Sequence, residues 1–343
     1  MIGSPKLRVG IVGCGYQGGV LAHAIPLVDG LTLTACADTI PERAVELAAF
    51  AGGASAHTSA EELLANSDVD LVMVATPHHV LAPISRLAIQ AGKHVMCEKP
   101  CGMNAAELAE VEKATARAGI RYLAGYSFRD SPSWQKVHEL LEQGVVGEIL
   151  AVTGYFGMDG MEAGWKSAPE TGGGPLMYIG SHLIDQVLWY LKDDPVEVYA
   201  NMRFRSDTGL DETSVFQVRF ARGAIAQLIS TQAGPDFNHQ LEIHGRDGSI
   251  SMRQVGFLDY EVNVSSRAVA EYQQPTLMRV PFSGDVRYVK HSRQLTRFVE
   301  SIHSGEPVSV SALQARQVMQ VIDGVFQSSR TGVPVRFEQG NPV

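Results

Sequence analysis

The chain has 343 residues, of which 45% are hydrophobic and 19% charged, and a formal net charge of -9. That exceeds one ordinary domain of soluble globular composition, so two domains with sizeable cores are expected. The acidic balance and the lack of a long basic run argue against nucleic acid and anionic membrane as partners and leave a small polar ligand. Cys14, Cys36, Cys97 and Cys101 show neither Cys-x-x-Cys nor a metal-ligand spacing, so they read as reduced thiols and no metal is expected. The opening Met-Ile-Gly-Ser-Pro-Lys lacks a signal-peptide pattern and no apolar run spans a bilayer, which points to a cytoplasmic protein.

Leu7 to Val12 is an apolar run broken by Arg8 and Gly10, and Gly13-Cys14-Gly15-Tyr16-Gln17-Gly18 follows at once, before apolar residues at helical spacing. Strand, turn and helix thus carry Gly-x-Gly-x-x-Gly. The first glycine permits the tight turn, the second lets the backbone approach a pyrophosphate, and the third lets helix and strand pack closely. The helix start offers N–H groups and a favourable dipole to the phosphates. A second strand, Leu31 to Cys36, ends near Asp38, about twenty residues past the last glycine, where an acid receives adenosine ribose hydroxyls. That carboxylate repels a 2'-phosphate, so NAD is expected in preference to NADP. Thr39-Ile40-Pro41-Glu42 supplies a capping box and a first-turn proline for the next helix, which leaves Asp38 for the ribose.

The alternation continues with strand Leu71 to Ala75, helix His79 to Ala91, strand His94 to Cys97, helix Ala105 to Ala118 ending at Gly119, and strand Arg121 to Ala124. It predicts an α/β fold whose N-terminal domain, residues 1–125, is a Rossmann-type doubly wound parallel sheet. Ligands lie beyond the carboxyl ends of such strands. Thr76-Pro77-His78-His79 and Glu98-Lys99-Pro100 sit at strand ends and are expected to face the cofactor.

After Gly125 the pattern changes. A helix introduced by Ser131-Pro132 packs through Trp134, Val137, Leu140 and Leu141, and a strand runs from Ile149 to Phe156. Val196, Val198, Ala200, Met202 and Phe204 alternate with polar residues, as do Ser214, Phe216, Val218 and Phe220, which predicts half-buried antiparallel strands. Ala224 to Thr231, Gln240 to His244 and Ser249 to Met252 look similar, with a hairpin turn at Arg246-Asp247-Gly248. Residues 126–343 are therefore read as an α+β domain with an open, mostly antiparallel sheet. Two late helices complete the chain, the last opening with the box Ser311-Ala-Leu-Gln314.

The stretch Gly172 to Asp185 joins a glycine-rich bend to a helix bearing ionisable side chains. Helical spacing puts Tyr178, His182 and Asp185 or Gln186 on one face, expected to look into a cleft, and Ile179, Leu183, Val187 and Leu191 on another, anchored in a core.

Together these residues resemble the glucose-fructose oxidoreductase and inositol dehydrogenase family, often written Gfo/Idh/MocA. The likeness rests on Gly13-x-Gly15-x-x-Gly18, Asp38, Ala75-Thr76-Pro77, the run Ala91 to Pro100 ending Glu-Lys-Pro, Trp165-Lys166, and Gly180-Ser181-His182-Leu183-Ile184-Asp185. It covers nearly the whole chain. Two departures stand out: Tyr178 occupies the position of the family's aspartate, and Leu81 replaces the usual histidine after the Thr-Pro strand end. A neutral phenol cannot orient a polyol as an acceptor-only carboxylate does.

The resemblance implies hydride transfer between nicotinamide and a secondary alcohol or ketone of a sugar, glycoside or cyclitol, and an open sheet with one face unclaimed by helices suggests self-association, as a homodimer or homotetramer. It makes Lys99, His182 and Tyr178 the catalytic candidates. Cofactor contacts fall to Gly13, Gly15, Tyr16, Gln17, Gly18, Asp38, Thr76, Pro77, His78, Glu98, Lys99 and Trp165. His182 suits proton transfer as an imidazole, and Lys99 suits stabilisation of an alkoxide as a fixed cation. For Tyr178, a hydrogen bond to the same oxygen, a proton relay and stacking on a sugar ring stay open. Two rival readings are an NAD-dependent enzyme that cleaves glycosides through transient oxidation and a non-catalytic dinucleotide-binding sensor. Retention of both Lys99 and His182 argues against the sensor.

Overall fold

The computed structural model describes residues 6–159, 164–256, 259–282 and 286–337. The chain forms two compact units, Met1–Asp130 with Gly284–Arg316, and Ser131–Ser283 with Gln317–Val343. The expected boundary at 125/126 thus meets a chain that returns to its first unit late, a crossover that local sequence patterns cannot announce.

In the first unit, strands β1 (Leu7–Val12), β2 (Leu31–Ala37), β3 (Ser55–His57), β4 (Leu71–Val74), β5 (His94–Glu98) and β6 (Tyr122–Gly125) alternate with helices α1 (Tyr16–Ala24), α2 (Pro41–Phe50), α3 (Ala60–Asn66), α4 (His78–Gln90) and α5 (Ala105–Ala118). The strands pair in parallel in the order β3-β2-β1-β4-β5-β6. The chain winds outward from β1 and then crosses back to β4, so the ends of these two neighbours flank the switch point where such sheets take ligands. All four residues of β4 are buried, as helices on both faces of a parallel sheet require. Helix α5 is bounded as its sequence specifies: the Asn104 side chain accepts the Glu107 N–H, and Gly119 takes the left-handed conformation that ends the helix. Strand β3 and helix α3 were not foreseen, being too short for periodicity to register.

The second unit carries α6 (Pro132–Glu142), β7 (Ile149–Asp159), α7 (Ser181–Leu191) and strands β8 (Pro195–Phe204), β9 (Asp211–Phe220), β10 (Ile225–Thr231), β11 (Ala233–Gly245), β12 (Gly248–Gln254), β13 (Tyr260–Ser266) and β14 (Thr276–Val280). Helix α8 (Val286–Ser304) belongs to the first unit; α9 (Ala312–Thr331) begins there and continues into the second, where β15 (Val335–Arg336) ends the sheet. The order is β14-β13-β12-β11-β7-β10-β9-β8-β15, antiparallel throughout except between β7 and β10. On β9, Ser214, Phe216, Val218 and Phe220 are buried as their alternation predicts. On β8, Val198 and Ala200 of the predicted set are buried, whereas Phe204 is exposed. An irregularity in register between Arg203 and Phe204 breaks the two-residue period there.

The capping box before α9 is reciprocal: Gln314 N–H donates to Ser311 Oγ and Ser311 N–H to Gln314 Oε1. Ser311→Ala should therefore cost about 1 kcal/mol, measured as a lowered urea midpoint, with Ser311→Asp retaining most of the wild-type value.

Candidate active site

In the first unit the site begins where β1 ends. Gly13 lies at φ +94°, and a Cβ there would come within 2.6 Å of the Ala75 carbonyl oxygen at the end of β4. Gly18 sits on the Gly13 carbonyl so closely that a Cβ would approach it to 2.0 Å. Around Gly15, which caps α1, an added Cβ would meet no atom within 4 Å. The loop therefore has glycine for steric reasons at its ends and open space at its middle, the arrangement a pyrophosphate needs above a helix N-terminus. The Thr76 hydroxyl oxygen, beside this loop, is buried with no hydrogen-bond partner among the described residues. These features fit a dinucleotide.

Asp38 is committed differently from the sequence-based expectation. Its Oδ2 accepts the Cys14 N–H at 2.8 Å and its Oδ1 the Ile40 N–H at 2.8 Å. The expected capping box at Thr39 does not form. Helix α2 starts at Pro41 after Ile40, and no side chain caps it. Asp38 takes over that turn because isoleucine has no acceptor to offer. Two oxygens provide about four acceptor sites, so the two N–H donors orient the carboxylate while leaving capacity for ribose hydroxyls.

At the end of β5, Glu98 is buried and accepts a hydrogen bond from Gln17 Nε2 at 2.8 Å. His291 Nε2 lies 3.0 Å from Gln17 Nε2 and 3.8 Å from Glu98 Oε1. Burial pushes the Glu98 carboxyl above its ordinary range, opposed first by the Lys99 charge. On the same turn of α8, burial pulls Lys290 down to about 8 while Glu98 and Asp130 oppose it, and its ammonium lies 4.0 Å from the centre of the Phe128 ring. Gln17 and Glu98 were expected to face the cofactor, whereas Lys290 and His291 were missed because they arrive from a distant helix. Lys99 is partly exposed, and the Cys101 N–H closes onto the Glu98 carbonyl at 3.0 Å. Tyr16 is exposed, Pro77 precedes α4, and His78 is buried in its first turn. Leu81, in the place of the family histidine, is fully buried.

In the second unit a 3₁₀ turn, Gly164–Ser167, carries Trp165 and Lys166, both partly buried. Gly174 has φ +100°, and a Cβ there would lie 2.0 Å from Asp211 Oδ1. Asp211 Oδ2 accepts the Leu176 N–H at 2.9 Å, and burial raises this carboxyl to about 6. The chain then forms a π-helical turn, Leu176–Gly180, before α7. The expectation of one open and one core face fails here: His182, Asp185 and Gln186 are as buried as Ile179, Leu183, Val187 and Leu191. Tyr178 is the member of the proposed polar face that keeps partial exposure.

A polar chain anchors α7. His239 Nε2 meets Gln186 Oε1 at 2.8 Å, Gln186 Nε2 donates to Tyr190 Oη, and Tyr190 Oη donates to the Trp134 carbonyl at 2.9 Å. Among the described residues no group of His, Cys, Asp or Glu is placed to hold a metal, and no helix is long and apolar enough to cross a membrane.

Residues 7–126 match a family model described as an oxidoreductase family with an NAD-binding Rossmann fold, and residues 134–251 match the GFO/IDH/MocA C-terminal domain. The chain is 30% identical over 222 residues to 1,5-anhydro-D-fructose reductase of Ensifer adhaerens, covering 63% of this chain and 67% of that protein. It is 27% identical over 299 residues to D-xylose 1-dehydrogenase (NADP(+)) 2 of Haloferax volcanii, covering 86% and 89%. Among solved structures, GenD2 from gentamicin A biosynthesis in complex with NAD superposes with a TM-score of 0.85 at 26% identity, covering 98% of this chain and 97% of that one.

Burial holds the His239 imidazole neutral down to about 3, against about 6.5 when unfolded. The unfolded chain therefore binds the extra proton, and this residue's contribution to stability is lost as pH falls from about 6.5 toward about 3, by up to about 1.4 kcal/mol per pH unit. In His239→Gln that slope should vanish. Denaturation midpoints of both proteins across this window check it, and parallel slopes would contradict it.

Proposed function

This chain belongs to the GFO/IDH/MocA oxidoreductase family, and on that premise we propose an NAD-dependent dehydrogenase or reductase acting on a secondary alcohol or ketone of a sugar, glycoside or cyclitol. The observation that carries the reading is the glycine loop, closed at Gly13 and Gly18 by steric necessity and open at Gly15, beside an Asp38 carboxylate already oriented by two backbone N–H groups. Gly13, Gly15, Tyr16, Gln17 and Gly18 take the pyrophosphate side, and Asp38 favours NAD over NADP. Thr76, Pro77, His78, Glu98 and Trp165 complete the cofactor's surroundings in this reading.

When bound, nicotinamide supplies a carbon that takes or gives hydride. The chain's own side chains handle the charge and the proton. Lys99 stabilises the developing alkoxide as a fixed cation. His182 exchanges the hydroxyl proton, which burial of its helix protects from competing water. Tyr178 hydrogen-bonds the same substrate oxygen and relays the proton between it and His182. Four buried thiols suit a reducing cytoplasm. Exposed Tyr199, Phe204 and Ile225 on neighbouring strands β8 to β10 support a homodimer or homotetramer.

NADH formation at 340 nm with a panel of polyols and glycosides tests the reading. Lys99→Ala and His182→Ala should each lower kcat by about a hundredfold or more while NAD binding stays close to wild type. Glycoside cleavage without NADH would replace the reading with transient oxidation, and ligand binding without turnover would replace it with a sensor.

A further inference from the structure

Tyr178 keeps partial exposure on an otherwise buried π-helical turn, and one of its neighbours gives it a chemical consequence. Lys166 Nζ lies 3.2 Å from Tyr178 Oη and 4.3 Å from the centre of its ring. The ammonium thus rests over the oxygen end of the phenol. Its stem is not a loose surface chain. A Cβ on Gly173 would come 2.3 Å from the Lys166 carbonyl oxygen, so the glycine triplet packs on the backbone that carries the lysine. The Thr171 hydroxyl donates to the adjacent Trp165 carbonyl and fixes the same turn.

A lysine ammonium is donor-only, so Tyr178 Oη must accept in this bond and directs its own proton elsewhere. We propose that Lys166 is a positioning residue for the reaction: by donating to Tyr178 Oη it aims the phenol's proton at the substrate oxygen and makes Tyr178 an exchangeable proton donor there. The inference rests on the dehydrogenase reading above. In the oxidising direction Tyr178 first gives its own proton to His182, and the phenolate then takes the substrate hydroxyl proton as the carbinol carbon loses hydride to the nicotinamide dinucleotide. In the reducing direction the phenol returns that proton to the oxygen. A positive charge on the ring face favours the phenolate, and an ammonium held there loses hydration, which draws Lys166 below its ordinary range. Among the described residues, the other ionisable groups on elements packed against these turns are Tyr155 and Asp159 on β7, Glu170 on the turn Pro169–Thr171, Asp211, Glu212 and Arg219 on β9, and His182, Asp185 and Tyr190 on α7. Of these, Asp211 is turned to the Leu176 N–H, and Arg219 to Glu197.

The test is an ultraviolet titration of tyrosinate in the protein without substrate, Tyr178 being isolated as wild type minus Tyr178→Phe. Replacing Lys166 by Met should move the Tyr178 ionisation upward by about one pH unit or more, and Lys166→Arg should restore it. With a productive polyol, Lys166→Met should lower kcat about tenfold or more with KM changed far less, again rescued by arginine. An unmoved titration overturns the proposal whatever the activity. A titration that moves in the absence of any NADH-forming substrate retains the lysine–phenol couple and removes the dehydrogenase reading instead.

Discussion

In both units the backbone comes so close to another backbone or to a buried carboxylate that only glycine fits, and those approaches place the functional side chains. Gly18 lies against the Gly13 carbonyl, which starts α1 directly on the end of β1 and opens the loop at Gly15. Gly174 lies against Asp211, which in turn takes the N–H of Leu176 at the start of the π-helical turn. A single Cβ at either place would displace the element that carries the chemistry. Here a few ångströms of backbone geometry matter more than any one hydrophobic contact.

Polar groups inside each unit follow from this placement. Asp211 is held in the protein interior at a cost, seen in its raised ionisation, because it satisfies a helix-start donor that water cannot reach. Glu98 is another such case, bonded to Gln17 and close to His291, with Lys290 nearby. Helix α7 is buried nearly all round and depends on His239, Gln186 and Tyr190 to pair its polar atoms. A neutral His239 is what that depth permits, since burial strips the hydration an imidazolium needs.

Much of this was legible in the chain. The parallel sheet followed from alternating apolar runs and glycine punctuation, and the box at Ser311 marked a helix start that the structure contains. What was not legible depended on contacts distant in sequence or on departures from regular periods. The return of residues 284–316 to the first unit brings His291 to Gln17 across 274 positions, and nothing local to α8 announces it. The double engagement of Asp38 needed knowledge of where Cys14 lies. A π-helical turn cannot be read from a 3.6-residue period, and burial of the supposed open face of α7 is set by what surrounds it. Lys166 appeared in the sequence as a neighbour of Trp165, and its bond to Tyr178 emerges once the glycine triplet folds back on its turn.

The central claim is that the glycine loop and Asp38 hold NAD, with the carboxylate oriented in advance for two ribose hydroxyls. Calorimetric titration of NAD and NADP into the wild type and Asp38→Ala tests it most directly. The account predicts tighter binding of NAD than of NADP in the wild type and a clear narrowing of that difference in the variant. Equal affinity for the two dinucleotides in the wild type, or a preference for NADP, would contradict it.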